Sequence, residues 1–264
     1  MMKVRYLHKQ KWLKHEPDEA RDIQRLDDSC MSVDSACHER DTRIKIMSAS
    51  SRETDRDLAA VLSSARGGEP AAVGCCPVTA CRFQSFYVDR ALQVHDDQQK
   101  KGKRYTFFDP KDAVPFGKLH TVNWRKLHQK FRRRLQRTLG KHVVVIGFGE
   151  VEADEERGVW QPHYHVTIYG AKNRKLKELR RKHYGAKRTG VRPMRKSKAE
   201  PIAKWFAYQS KLNAFGKLVD SNGGPPKRTR LPDDLSRQFF RYVSRHLPTA
   251  FVFSMNCRIV KARK

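Results

Sequence analysis

The sequence predicts an α+β fold, a central antiparallel sheet with helices packed on it, behind a poorly ordered N-terminal region. Three observations carry this. Residues 142–152 and 163–169 are β-branched and aromatic runs joined by an acidic, glycine-containing turn, which reads as a hairpin. Val122, Leu127, Phe131, Leu135 and Leu139 recur at helical spacing with Arg and Lys on the other face. The segment order β-α-β-β-α-α-α-β mixes hairpin and crossover connections, as an α+β fold does.

Taken in order, residues 1–73 are polar and charge-mixed, with a Gly67-Gly68-Glu69-Pro70 break. Only short helices are expected there, around 18–26 and 55–65. Residues 1–95 read as a polar, partly disordered accessory region. A short helix suits 74–92, through Phe83, Phe86, Tyr87 and Leu92, and Asp96 to Arg104 is a charged linker. The main domain is expected over 104–220. Tyr105 to Phe108 makes a short strand that Asp109-Pro110 ends, and Gly140 closes the helix that follows. His142 to Glu152 is a long strand, 153–161 a turn, and 163–169 the partner strand. Leu176 to Tyr184 is a basic helix and 185–198 a Gly/Arg/Lys loop. Ile202 to Leu218 and Asp233 to His246 are helices, and Phe251 to Val260 is a last strand. Residues 221–264 complete or flank the domain.

Charge is divided along the chain more sharply than its net +28 suggests. Residues 1–99 hold 15 Lys/Arg against 16 Asp/Glu, whereas 100–264 hold 41 against 12, a net of +29. A field of that sign draws polyanions and gains affinity by releasing counterions from a phosphate backbone, so nucleic acid is the expected partner. No apolar run approaches 18 residues and no apolar leader opens the chain, so no membrane partner is expected. The six cysteines form no disulfide-dense pattern, and a reducing cytoplasm is the expected compartment. Cys76 and Cys81, with Cys75, Cys30, Cys37 and His38, match no strong zinc spacing and read as free thiols; Cys257 reads as a core residue.

The candidate site starts from Pro162-His163-Tyr164-His165-Val166. Residues i and i+2 of a strand point to one face, so His163 and His165 project together. Glu150 and Glu152 share a face of the preceding strand, and either can lie opposite a histidine in a hairpin. Two imidazoles and one carboxylate suit Mn²⁺ or Mg²⁺, and Zn²⁺ would also bind them; Glu150 is the favoured third ligand, with Glu152 the alternative. Tyr208 and Lys211, at i and i+3 in 202–218, are expected on one helix face, where the cation can stabilise a phenolate.

Residues 104–213 resemble the catalytic domain of HUH endonucleases, specifically the rolling-circle replication initiators. The resemblance rests on three elements in the family's order. They are the strand Tyr105-Thr106-Phe107-Phe108, the Pro162–Val166 histidine motif and Tyr208-x-x-Lys211. The chain departs from the family in Phe107-Phe108-Asp109, where a Thr-Leu-Thr pattern is usual, and in Lys204, where some members carry a glutamate. The resemblance implies an HUH palm that nicks and joins DNA. His163, His165 and Glu150 hold a divalent metal, Mg or Mn. Tyr208 attacks the scissile phosphate to give a 5′-phosphotyrosine and a free 3′-OH primer, and Lys211 offsets charge. The substrate is a single-stranded or hairpin origin, and a host helicase and polymerase are possible further partners. Arg132, Arg133, Arg134, Lys172, Arg180, Arg181, Lys182, Arg192 and Arg195 are the expected DNA-binding cations. Two alternatives stay open: a basic DNA- or RNA-binding regulator without activity, and an HUH transposase.

Overall fold

The computed structural model describes residues 30–98, 101–185, 192–197, 201–212, 215–218 and 227–259. Its helices are α1 (Val33–Ser48), α2 (Glu53–Ser63), α3 (Pro77–Asp96), α4 (Trp124–Leu139), α5 (Asn173–His183), α6 (Ile202–Gln209) and α7 (Asp233–Ser244). Its strands are β1 (Lys103–Phe108), β2 (Val114–Pro115), β3 (Val144–Asp154), β4 (Val159–Tyr169), β5 (Met194–Lys196), β6 (Phe215–Leu218), β7 (Lys227–Arg230) and β8 (Val252–Met255). Among the described residues, no helix is long and apolar enough to cross a membrane.

The chain divides into two compact units. The second, drawn from Arg90–Pro201, Phe215–Thr229 and Ala250–Lys264, contains the sheet, in the order β5-β1-β4-β3-β6-β7, with β2 against β4 and β8 against β3. β1 with β4 and β5, β2 with β4, and β3 with β4 and β8 pair antiparallel, and β3 makes a short parallel contact with β6. This is the α+β architecture that the sequence predicts. The central hairpin is longer and its turn tighter than expected over 153–161: Ala153 faces Trp160 and Asp154 faces Val159, so four residues close it. Gly158, at φ 60°, supplies the left-handed residue, and the Asp154 carboxylate accepts from the Arg157 N–H.

Alternation separates the two faces of this sheet. Tyr164, Val166, Phe107, Gly147 and Gly149 share one face, and α4 packs on it. Phe131 stacks on Tyr164 at 4.4 Å and meets Phe107 at 5.3 Å. A Cβ on Gly149 would fall 2.3 Å from the Trp124 ring, so the glycine is what lets that ring approach. Burying such a ring contributes about 2–3 kcal/mol. The Asn123 side chain caps α4 by accepting from the Lys126 N–H, and Gly140, at φ 100°, ends it. α5 lies beside α4 and leads into Tyr184, whose ring meets Phe107 at 5.0 Å.

The first unit takes the described residues of Met1–Asp89, Ile202–Ala214 and Arg230–Thr249. Two expectations are corrected here. Three helices, of which α2 and α3 match those expected near 55–65 and 74–92 and α1 was not expected, enclose a buried core that includes Leu58, Leu62, Phe83 and Tyr87, where a partly disordered region was expected. The helix α1 escaped the sequence reading because its inward face carries Arg40 and Arg43. Arg43 is 1 % exposed, donates to the Cys75 and Leu212 carbonyls and pairs with Glu39. The expected 104–220 domain also loses α6 to this unit: Gln84 donates to the Ala207 carbonyl, Tyr87 to the Gln209 side chain, and the Tyr87 ring meets Phe206 edge-on. α7 closes on α1 and α2 through Phe240 beneath the Arg43 guanidinium and through Arg241, 2.7 Å from the fully buried Asp55 carboxylate. The helix expected over 18–26 lies outside the described residues.

Further boundaries differ for local reasons. The helix expected over Ile202 to Leu218 stops at Gln209, because the Ser210 hydroxyl bonds back to the Phe206 and Ala207 carbonyls, and 215–218 is a strand. The last strand, expected to reach Val260, ends at Met255, where Asn256 turns at φ 57° and its amide donates to the Val143 carbonyl. Cys257 therefore sits half-buried just past a strand, where a core position was expected. All six cysteines are free thiols, and no ligand cluster forms around them among the described residues.

Candidate metal centre

Strand register, fixed by the four-residue turn, sets Glu150 directly opposite His163 and Phe148 opposite His165. These residues occupy the sheet face away from α4. Glu150, His163 and His165 are 3 %, 7 % and 5 % exposed. The two Nε2 atoms lie 3.0 Å apart, and Glu150 Oε2 lies 3.4 Å from each. The expected triad is thus assembled with Glu150 as its carboxylate. Glu152 faces Gln161, two pairs further along on the same face, and adds to the negative field at His163.

The donor set fits a small divalent ion. With ligands ~2.1 Å from a metal, neighbouring donors are ~3.0 Å apart in an octahedron and ~3.4 Å apart in a tetrahedron. The observed edges match this range. Both imidazoles are also held from behind. His163 Nδ1 lies 3.3 Å from the Gln161 carbonyl, which can only accept, so this nitrogen carries a proton and Nε2 is the nitrogen left to donate to Glu150 or, once deprotonated, to bind a metal. His165 Nδ1 lies 2.9 Å from Thr106 Oγ1 on the neighbouring strand, which orients the second ring. The group can therefore hold a metal ion.

Electrostatics agree with that use. Burial pushes the Glu150 carboxyl up, but hydrogen bonds from both imidazoles outweigh it and hold the group below the usual carboxylate range. Burial lowers His163, and the Glu150 carboxylate reverses the sign, so its affinity for a proton is raised. A fixed anion beneath two basic nitrogens attracts a cation.

Thr106 was missed as a site residue in the sequence. Its signal was parity within the strand Tyr105–Phe108, but the pairing of β1 with β4, which sets Thr106 opposite His165, is not a local property. Tyr208 and Lys211 belong to the first unit. Tyr208 is half-buried and stacks on Trp205, and Lys211, beyond the helix end, has Nζ 5.3 Å from the Tyr208 ring centroid.

The expected DNA-binding cations divide between the faces of the sheet. Arg195, on β5 opposite Thr106, shares the face of the histidines and lies over the Phe108 ring. Arg192, just before β5, is exposed. Arg132, Arg133, Arg134, Arg180, Arg181 and Lys182 stand on α4 and α5, and Lys172 immediately precedes α5, all on the opposite side. Arg134 is engaged internally, 2.8 Å from Asp109 and over the Tyr184 ring. Burial raises the Asp109 carboxyl, yet Lys130 and Arg134 hold it down at about 2.

Compared with known proteins, the chain matches no family model, no curated protein and no solved structure.

Proposed function

We propose that the protein is a metal-dependent DNA-nicking and -joining enzyme of the HUH type, acting as a rolling-circle replication initiator. The observation that carries this reading is the buried Glu150–His163–His165 triangle, with 3.0–3.4 Å edges and both imidazoles backed by a hydrogen-bond partner. The +29 charge of residues 100–264 supports a polyanionic substrate.

In this reading Mn²⁺ or Mg²⁺, once bound, neutralises charge on the scissile phosphate. The Tyr208 hydroxyl oxygen forms the new bond to phosphorus, and the bond from phosphorus to the 3′ oxygen breaks. The 3′ oxygen leaves with a proton as a primer hydroxyl, and a 5′-phosphotyrosine remains. Lys211, whose Nζ lies 5.3 Å from the Tyr208 ring centroid, offsets negative charge that develops beside the tyrosine. Arg195 meets phosphate on the histidine face.

The test is covalent trapping. The full chain, Mn²⁺ and a labelled single-stranded DNA pool of randomised sequence are expected to give an adduct stable to detergent. Tyr208→Phe and His163→Ala/His165→Ala should each abolish it. Undiminished nicking by Tyr208→Phe would sink the proposal. Tight DNA binding with no adduct under any divalent ion would instead favour the non-catalytic regulator.

A further inference from the structure

The outer surface of α4 and α5, on the sheet face opposite the histidines, carries cations that the nicking step itself does not use, among them Arg133, Arg180 and Arg181, which the sequence predicts to bind DNA. α4 contains no acidic residue, and α5 contains one, Glu178, which Lys175 and Lys182 neutralise at 3.0 and 2.6 Å. The cations that turn toward the sheet are engaged there: Lys130 with Asp109 and Asp112, Arg134 with Asp109, and Arg132 with the Ser254 carbonyl. Arg125, Lys126, Arg133 and Arg137 on α4, and Arg174, Lys177, Arg180 and Arg181 on α5, are exposed. Because the two helices lie side by side on one sheet face, these side chains form a single basic surface.

We infer that this surface is a second nucleic-acid site, separate from the metal centre, which binds the phosphate backbone of a duplex without reading its sequence. Arg125 to Arg137 spans ~18 Å of helix axis, a length that faces ~10 phosphate charges of double-stranded DNA. Single-strand sites add exposed aromatic platforms on which bases stack. Among the described residues the one exposed large hydrophobic side chain is Val33, on α1, so this surface offers no such platform. The same lack of exposed apolar side chains disfavours an anionic membrane, which takes up an amphipathic helix by its apolar face. A duplex backbone is the polyanion that charge alone recognises. The inference does not depend on the nicking reading.

The experiment measures binding of the full chain to a 20-bp duplex of arbitrary sequence by fluorescence anisotropy, in EDTA, across a salt series. Arg125→Ala/Arg133→Ala/Arg180→Ala/Arg181→Ala is the test variant; alanine at exposed helix positions preserves the helices. Removing four phosphate contacts should flatten the slope of log K against log salt by ~3–4 and weaken binding ~100-fold or more at 0.1 M salt. Lys45→Ala/Arg52→Ala/Arg66→Ala/Arg245→Ala removes the same charge from exposed positions of the first unit and should change the slope by less than ~1. His163→Ala/His165→Ala should bind the duplex as the unaltered protein does, while losing any covalent adduct. An unchanged slope in the test variant, an equal loss in the charge control, or preferred binding of single strands or phosphatidylserine vesicles would overturn the inference.

Discussion

Replacing Thr106 by valine removes one hydroxyl and keeps the shape, which isolates the orientation of His165. When a metal occupies Nε2, the His165 proton must sit on Nδ1, and Thr106 Oγ1 at 2.9 Å is positioned to accept it. Without the hydroxyl, that N–H is left in a site where His165 is 5 % exposed. The metal-free protein can relieve this by moving the proton to Nε2, where the Glu150 carboxylate at 3.4 Å accepts it. The metal-bound protein cannot, so the cost falls on the bound state alone. A buried hydrogen bond of this kind is worth about 1–2 kcal/mol, or ~10-fold in affinity. Titration calorimetry with Mn²⁺ at neutral pH should therefore show Thr106→Val binding about tenfold more weakly, with unchanged stoichiometry. A dissociation constant within twofold of the unaltered protein would refute the orienting role of Thr106, and with it the tautomer assignment.

Glu150→Gln should weaken Mn²⁺ binding by ~100-fold or more and abolish the rise in Tm that saturating metal gives, whereas Glu152→Gln should stay within ~3-fold; thermal melts with and without Mn²⁺ separate them. His128 is half-buried between the Ala250 carbonyl, which fixes the proton on Nε2, and the Tyr164 hydroxyl, which donates to Nδ1. Burial, against the Ala250 carbonyl and helped by Arg132, lowers it to about 4. The unfolded chain then binds the extra proton first, so stability is complete above pH ~6.5 and falls by about 3 kcal/mol as pH drops to 4. Urea unfolding should show a shallower pH dependence for His128→Gln over that window, and parallel curves would count against the assignment. Gly149→Ala drives a methyl into the Trp124 ring and should cost about 1–3 kcal/mol in the same assay, with near-UV circular dichroism reporting the displaced indole.

The metal triangle was legible because strand parity and a short turn are both local: His-x-His and Glu-x-Glu each commit two side chains to one face, and the turn left only the register open. That register chose Glu150 over Glu152, and the sequence reading already favoured it. Thr106 needed the non-local pairing of β1 with β4. Helix α1 and the buried core around it were obscured for a different reason. Arg40, Arg43 and Asp55 look like solvated charge in sequence, yet they are buried because each meets a partner far away in the chain, such as Glu69, Leu212 or Arg241. The basic residues of α4 and α5 were recognised as cations, but which side of the sheet they cover follows from where Phe131 and Trp124 pack, and helical periodicity alone cannot say that.

The three-stretch make-up of the helical unit has a consequence for its synthesis. About 140 residues separate the end of α3 from the start of α7, so a ribosome adding 5–20 residues per second leaves α1 to α3 waiting for ~7–30 s. Through that interval Asp55 lacks the guanidinium of Arg241, and for most of it Tyr87 lacks Gln209 and Phe206. The Asp55 carboxylate and the Tyr87 side chain are thus left exposed without these partners while the sheet is being made, so the helical unit is expected to finish folding only after α7 emerges. Any fragment that stops before Ser244 should inherit the same exposure permanently and collect in the insoluble fraction.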